Sequence, residues 1–155
     1  YVCQDFGQGP YKCFLDAKGL FARYNTIHYL QPGDCMHPPV TMNYFRQFCR
    51  EEGFSFNLLQ EINDEKIKRG DAFFVFRQKE LVNIIKISRK NNWKPGRDIG
   101  IVAYNDSPLY EIIEDGITTI SADFAEMGKK AAEFVTTKQP IKTIIPTVLK
   151  LRSSL

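Results

Sequence analysis

Apolar residues along this chain follow two rhythms, and their alternation predicts strands separated by helices. Ala72–Phe76 and Ile99–Ala103 are nearly unbroken apolar runs, the pattern of strands buried on both faces. Around them apolar positions recur at helical spacing. Phe14, Ala17, Leu20 or Phe21 and Tyr24 mark a helix over Tyr11–Tyr24, and Met42, Phe45, Phe48 and Cys49 mark another over Val40–Glu52. Leu81, Ile84, Ile85 and Ser88 do the same for Gln78–Asn92. A last helix over Phe124–Thr137 puts Phe124, Met127, Ala131, Phe134 and Val135 on one face, with Glu126, Lys129, Lys130 and Glu133 on the other.

Further strands are predicted at Tyr1–Gln4, Thr26–Leu30, Ile117–Ile120 and Ile144–Leu151, with an edge strand at Ser55–Leu59. Glu61–Arg69 reads as a short charged turn or helix, and Pro108–Glu114 as a short helix. Pro10 suits the first turn of its helix, whereas Gly53 and Asn91-Asn-Trp-Lys-Pro-Gly96 stop theirs. Strands alternating with helices of this length imply an α/β fold, a parallel sheet with helices on both faces. No internal repeat or low-complexity linker interrupts it.

Composition narrows the reading. Of 155 residues, 43% are hydrophobic and 25% charged, as in a soluble globular domain, and no window approaches the roughly 18 apolar residues of a membrane span. A cytoplasmic protein without a membrane partner is expected. The net charge of +3 comes from scattered Lys and Arg, which argues against direct nucleic-acid binding. Cys3, Cys13, Cys35 and Cys49 form no C-x-x-C pair, so free thiols are expected rather than a zinc site or a disulfide framework. The sequence opens at Tyr1 inside a predicted strand, as a fragment of a longer protein would.

Candidate chemistry is sparse. There is no Gly-x-Ser-x-Gly elbow, no P-loop and no Gly-x-Gly-x-x-Gly after a strand; Gly7-Gln-Gly9 is only a fragment of such a loop and reads as the tight turn before the first helix, with phosphate binding the lesser alternative. His28 falls within a strand, where it is packed or surface-lying. His37 falls in the Pro-rich loop Gln31–Pro39, from which it could reach a cleft. Neither has a partner at triad spacing, so neither a catalytic residue nor a metal or cofactor site is assigned. In open α/β sheets ligands sit beyond the carboxyl ends of the strands, where Asn105 and Asp106 follow Ile99–Ala103. Asn and Asp are equally ordinary turn formers there, so position leaves both roles open.

One series of segments resembles a known family. Pro95-Gly-Arg-Asp-Ile-Gly-Ile-Val-Ala-Tyr-Asn-Asp-Ser-Pro-Leu109, Gly116-Ile-Thr-Thr-Ile120, Met127-Gly-Lys-Lys-Ala-Ala132 and Ile145-Pro-Thr-Val-Leu-Lys-Leu-Arg-Ser153 resemble, in order, the effector-binding domain of LacI/GalR-type bacterial transcription regulators. That domain has the type I periplasmic-binding-protein-like fold. Asp5-Phe-Gly-Gln-Gly9 resembles the family's first turn more loosely. The resemblance implies a ligand-contacting role for Asn105 and Asp106, which could hydrogen-bond sugar hydroxyls. It draws Asp123 and Phe124 toward the ligand too, although Phe124 could equally anchor its own helix. Arg77 and Gln78 stand where the family commonly has Asn-Asp, and Tyr11 lies near the family's first-helix ligand contact.

The resemblance further implies a non-enzymatic sensor whose small-molecule effector is a sugar or sugar phosphate. It implies a homodimer that holds DNA through a domain absent from this chain, a helix-turn-helix or GntR-type winged helix. Residues 1–115 and 140–155 would be the second lobe, and 116–139 would belong to the first. On that division the Phe124–Val135 face lacks its sheet partner, and exposing large apolar side chains costs about 1.5–3 kcal/mol each, so the helix should redock or be covered. A periplasmic sugar-binding protein of a transporter is the second reading, and a small α/β enzyme the third.

Overall fold

The computed structural model describes residues 1–155. In chain order its elements are β1 (Val2–Gln4), α1 (Gln8–Asp16), α2 (Lys18–Phe21), β2 (Thr26–Leu30), α3 (Pro39–Glu51), β3 (Phe56–Leu59) and β4 (Asp71–Val75). There follow α4 (Gln78–Lys90), β5 (Gly100–Tyr104), β6 (Thr118–Ala122), α5 (Phe124–Thr137), β7 (Thr143–Ile145) and β8 (Thr147–Lys150). One sheet has the order β3-β2-β4-β5-β6-β8, and β1 pairs with β7 in a separate parallel two-stranded sheet. Every pairing from β3 to β6 is parallel, and β8 alone runs antiparallel, along β6.

Both faces of the main sheet are covered, as the unbroken apolar runs require. Ala72, Phe74, Val102 and Tyr104 join a layer with Phe14, Phe21, Phe45 and Phe48 from α1, α2 and α3. Their neighbours in sequence, Phe73, Val75, Ile101 and Ala103, face the other way, onto Leu81, Ile84, Ile85 and Ile87 of α4. The first layer is largely aromatic: Phe14 meets Phe74 edge-on at 5.2 Å between ring centroids and Phe48 at 5.6 Å. All four cysteines are free, and burial pushes the Cys13 and Cys49 thiols up to about 11 and about 12.

Several expected boundaries move, each for a local reason. The single helix over Tyr11–Tyr24 begins earlier, at Gln8, and breaks at Ala17, whose ψ of 1° lies outside the helical range. Ile144–Leu151 is two strands, because Pro146 has no N–H to donate and the chain leaves the small sheet there for the main one. Pro108–Glu114 becomes two tight 3-10 turns, ended by positive φ at Glu114, Asp115 and Gly116. Glu61–Arg69 forms turns rather than a helix.

The domain division also moves. Residues 118–122, expected with the first lobe, are β6 of the main sheet, pairing Val102 with Thr118 and Tyr104 with Ile120. Their burial on both faces follows from the β-branched run read in the sequence. α5 leaves the main sheet together with the small β1–β7 sheet; it packs against β1 and has no buried residue, with Phe124 45%, Phe134 51% and Val135 70% exposed. The face lacks a sheet partner, as that division implies, but the expected redocking has not occurred: α5 stays off the main sheet with its apolar side chains exposed. The C-terminal residues close the amino-terminal ends of β5 and β6, where Ser154 Oγ donates to Ile101 O (2.7 Å) and accepts from Thr118 N (2.8 Å). Gly96 admits this tail: at φ 81°, a Cβ there would lie 1.7 Å from Ser153 O.

Candidate functional site

Parallel strands in register bring the loops after β2, β4 and β5 to one rim, where the family resemblance places the ligand. Ring contacts build its floor. His37, from the loop after β2, packs on Phe76 (4.4 Å), Tyr104 (4.5 Å) and Phe6 (5.6 Å). Phe76 and Tyr104 are themselves 5.5 Å apart. Gln31 shapes that loop by donating from Nε2 to Cys35 O and His37 O, both at 3.2 Å.

The protonation of His37 follows from its bonds. Thr41 Oγ1 donates to Phe6 O (2.6 Å), so it must accept from His37 Nε2 (2.7 Å), which assigns the ring proton to Nε2 and leaves Nδ1 an acceptor. Burial pushes the His37 pKa down to about 4, so the ring is neutral at pH 7.

Asn105 closes the rim beside Tyr104. Its φ of 66° lies in the left-handed region, which Asn tolerates better than most residues. Its N–H donates to Ile120 O (2.9 Å), while its side-chain Oδ1 is buried without a partner in the chain, as is the Tyr104 hydroxyl. A buried acceptor lacking a donor is costly, and a ligand or ordered water that donates to it removes that cost.

The other expected residues are engaged with groups of this chain, and all but Arg77 lie off the ring cluster. Asp106 turns back along the sheet, accepting from Lys150 Nζ (2.8 Å), Arg152 Nη1 (2.9 Å), Arg152 Nη2 (3.2 Å) and Thr119 Oγ1 (3.2 Å). Burial alone would raise its pKa, but bonds from Arg152 and Lys150 outweigh that and hold the carboxyl well below the usual range. Arg77 is clamped by Glu80 (2.9 and 2.7 Å) and Asp34 (2.9 Å), and Gln78 lies beside the Tyr110 hydroxyl. Asp123 caps α5 by accepting from Glu126 N (2.9 Å), and Phe124 pairs with no other ring. The Tyr11 hydroxyl bonds the Glu51 carboxylate, outside the ring cluster.

Of the eight residues proposed from the sequence, then, His37, Arg77 and Asn105 share the rim. Phe6, Thr41, Phe76 and Tyr104 were missed as site residues. The readable signal was an aromatic residue ending each of two buried strands. Asp5 sets the neighbouring turn, accepting from Gly7 N (2.8 Å) and Gly9 N (2.7 Å), while Thr147 Oγ1 donates to Asp5 O (3.1 Å). Gly9 is needed here, since a Cβ would stand 2.8 Å from Thr147 Cβ. No group of three or more His, Cys, Asp or Glu side chains is placed to hold a metal ion, and no helix is long and apolar enough to cross a membrane.

Sheet order, two helical layers and a carboxyl-end rim define a periplasmic-binding-protein-like α/β domain. The chain belongs to that family: the model of the periplasmic binding protein-like domain matches residues 21–155. Its neighbours in sequence and structure are LacI/GalR-type regulators. It is 25% identical over 126 residues to the HTH-type transcriptional regulator GalR of Streptococcus thermophilus, covering 72% of this chain and 38% of that protein. A LacI family transcriptional regulator from Arthrobacter sp. FB24, solved in complex with lactose, superposes with a TM-score of 0.76 at 17% identity, covering 99% of this chain and 65% of that one. A periplasmic binding protein/LacI transcriptional regulator from Alkaliphilus metalliredigens, complexed with D-xylulofuranose, gives 0.75 at 15%, covering 99% and 64%. The chain thus spans 38% of its curated relative and under two thirds of these structures, which share its fold.

Proposed function

We propose that residues 1–155 are the larger part of the effector-sensing domain of a LacI/GalR-type transcription regulator. A small carbohydrate lies against the rim of His37, Phe76, Tyr104 and Asn105 and draws a second lobe over it. Closure then changes how a homodimer sits on DNA through a head outside this chain, of the helix-turn-helix or GntR-type winged-helix kind. No chemistry on the ligand is required, and the protein works in the cytoplasm.

The observation that carries this reading is the unpartnered Asn105 Oδ1 beside an aromatic floor. A sugar supplies what that surface lacks, hydroxyl donors on its edge and an apolar face for the rings. The lactose and D-xylulofuranose complexes of similarly folded proteins support it, and a dimeric Lac repressor structure with a TM-score of 0.78 supports the dimer. Asp106 here holds β8 to the sheet rather than touching the ligand.

The test is a thermal-shift screen of the full-length protein against monosaccharides, disaccharides and sugar phosphates. Stabilisation by a subset, lost in Asn105→Ala, is the expected result. No stabilisation across the panel would overturn the reading.

A further inference from the structure

At the rim the charged side chains near the aromatic floor are already engaged within this chain, by opposite charge or by backbone N–H groups. Arg77 donates to Glu80 and Asp34, with its guanidinium forked on the Glu80 carboxylate. Lys79 lies near enough to both carboxylates to lower their pKa values, so the group holds two cations and two anions. A second balanced group sits at β8, where Asp106 takes Lys150 and Arg152, and Arg152 also approaches Glu111 at 3.7 Å. Asp5 and Asp123 are spent on backbone N–H groups of α1 and α5. His37 is a neutral acceptor, and Asn105 offers a carbonyl oxygen.

We infer that Glu80 and Asp34 are specificity determinants, masking Arg77 so that this lobe takes an uncharged polyhydroxy ligand and disfavours its phosphorylated form. The inference rests on the sugar-sensing reading and narrows its ligand class. A phosphate would have to pull Arg77 out of a bidentate carboxylate pair, and bidentate pairing is the strongest arrangement a guanidinium makes. Glu80 is also fixed in place, being 6% exposed in the first turn of α4. A neutral ring asks for none of this.

The test uses the full-length protein and calorimetric titration with D-glucose, D-galactose and D-xylose against glucose 6-phosphate and galactose 1-phosphate. The wild type should bind a neutral sugar at least about tenfold more tightly than its phosphate, the discrimination that one unsatisfied charge confers. Glu80→Gln, nearly isosteric, should narrow or reverse that ratio by about tenfold while leaving neutral-sugar affinity within about twofold. Asp34→Asn, at an exposed loop position that does not endanger folding, should shift it the same way by a smaller factor. Tighter binding of a phosphate by the wild type overturns the inference, as does an unchanged ratio in both variants. If neither class binds, the sugar-sensing reading fails and this inference with it, an outcome distinct from the other two.

Discussion

Two helices of nearly equal length carry the same apolar rhythm and meet different fates. Over its 13 residues α4 buries six, among them Leu81, Ile84, Ile85 and Ile87, whereas α5 over 14 buries none. Local sequence makes both of them helices. What differs is the partner: α4 lies over β4 and β5 of a six-stranded sheet, while α5 has beside it only a two-stranded ribbon, β1 and β7. Amphipathic spacing reports that a helix has a face to bury, and only the surrounding chain decides whether it is buried.

The largest test of that contrast removes one ring from each region. Phe74, fully buried between Phe14, Tyr29 and Phe76, should cost about 3–5 kcal/mol on truncation to Ala, through lost transfer energy and the cavity left behind. Phe134→Ala, at a side chain 51% exposed, should cost less than about 1 kcal/mol. Urea unfolding of the two variants measures the difference. Equal losses would mean that α5 is buried in solution and that the contrast is not real.

Polar residues sharpen the same comparison. Asp106 is 14% exposed at the side chain and holds both Lys150 and Arg152, so Asp106→Ala leaves Lys150 without a counter-charge and Arg152 with only the longer approach of Glu111 at 3.7 Å. Removing one member of a buried pair costs about 3–5 kcal/mol, and partial solvation at Lys150, 52% exposed, lowers the expectation to about 2–3 kcal/mol. The loss should be largely recovered by removing the cations as well, in a triple variant that adds Lys150→Met and Arg152→Met to Asp106→Ala.

How much of this was legible in the sequence differs between regions for the same reason. Unbroken runs such as Ala72–Phe76 and Ile99–Ala103 fixed the parallel, doubly covered sheet, because burial on both faces leaves no other pattern. Thr26–Leu30 and Phe124–Thr137 were readable to the residue, where turn or capping residues flank a single rhythm. Pairing partners were not readable: nothing local to Ile117–Ile120 says that it joins β5, and nothing in Asp106 says that it faces Lys150 and Arg152, 44 and 46 positions away. Arg77 and Glu80, at i and i+3, were within reach of sequence reasoning, whereas Asp34 lies 43 positions off and needed the fold. His37 was reachable only as a loop residue near a cleft; its aromatic surroundings come from three separate elements.

His37 gives the rim a pH signature that α5 lacks. The unfolded ring takes up its proton near about pH 6.5, the folded ring only near about 4. Between those values the unfolded chain binds more protons, so His37 lowers stability as pH falls from about 6.5 to about 4, and the loss levels off below that. Thermal melts should fall more steeply over this window in the wild type than in His37→Gln, which keeps a donor for Thr41 but cannot titrate. About 1–2 kcal/mol separates the two slopes once partial solvation of the loop is allowed for. Parallel slopes would place the His37 ring in water.

The smallest expected change in stability falls on α5 itself. Val135 is 70% exposed and lines, with Tyr1, Val2, Ala131, Phe134 and Ile141, an apolar groove of about 510 Å³ between α5 and the start of the chain. Val135→Lys removes apolar surface that this fold does not bury, so unfolding of residues 1–155 should shift by less than about 0.5 kcal/mol. Its effect belongs instead to whatever the groove attracts. Exposed apolar patches of this kind bind hydrophobic dyes and promote association, so fluorescence of anilinonaphthalene sulfonate and the weight-average mass at high concentration should both drop in the variant. In the full-length protein the same substitution should cost about 1.5–3 kcal/mol if a first lobe buries Val135 there. Measured in both lengths, one residue thus separates a helix that is bare by sequence from one bare only for want of its partner.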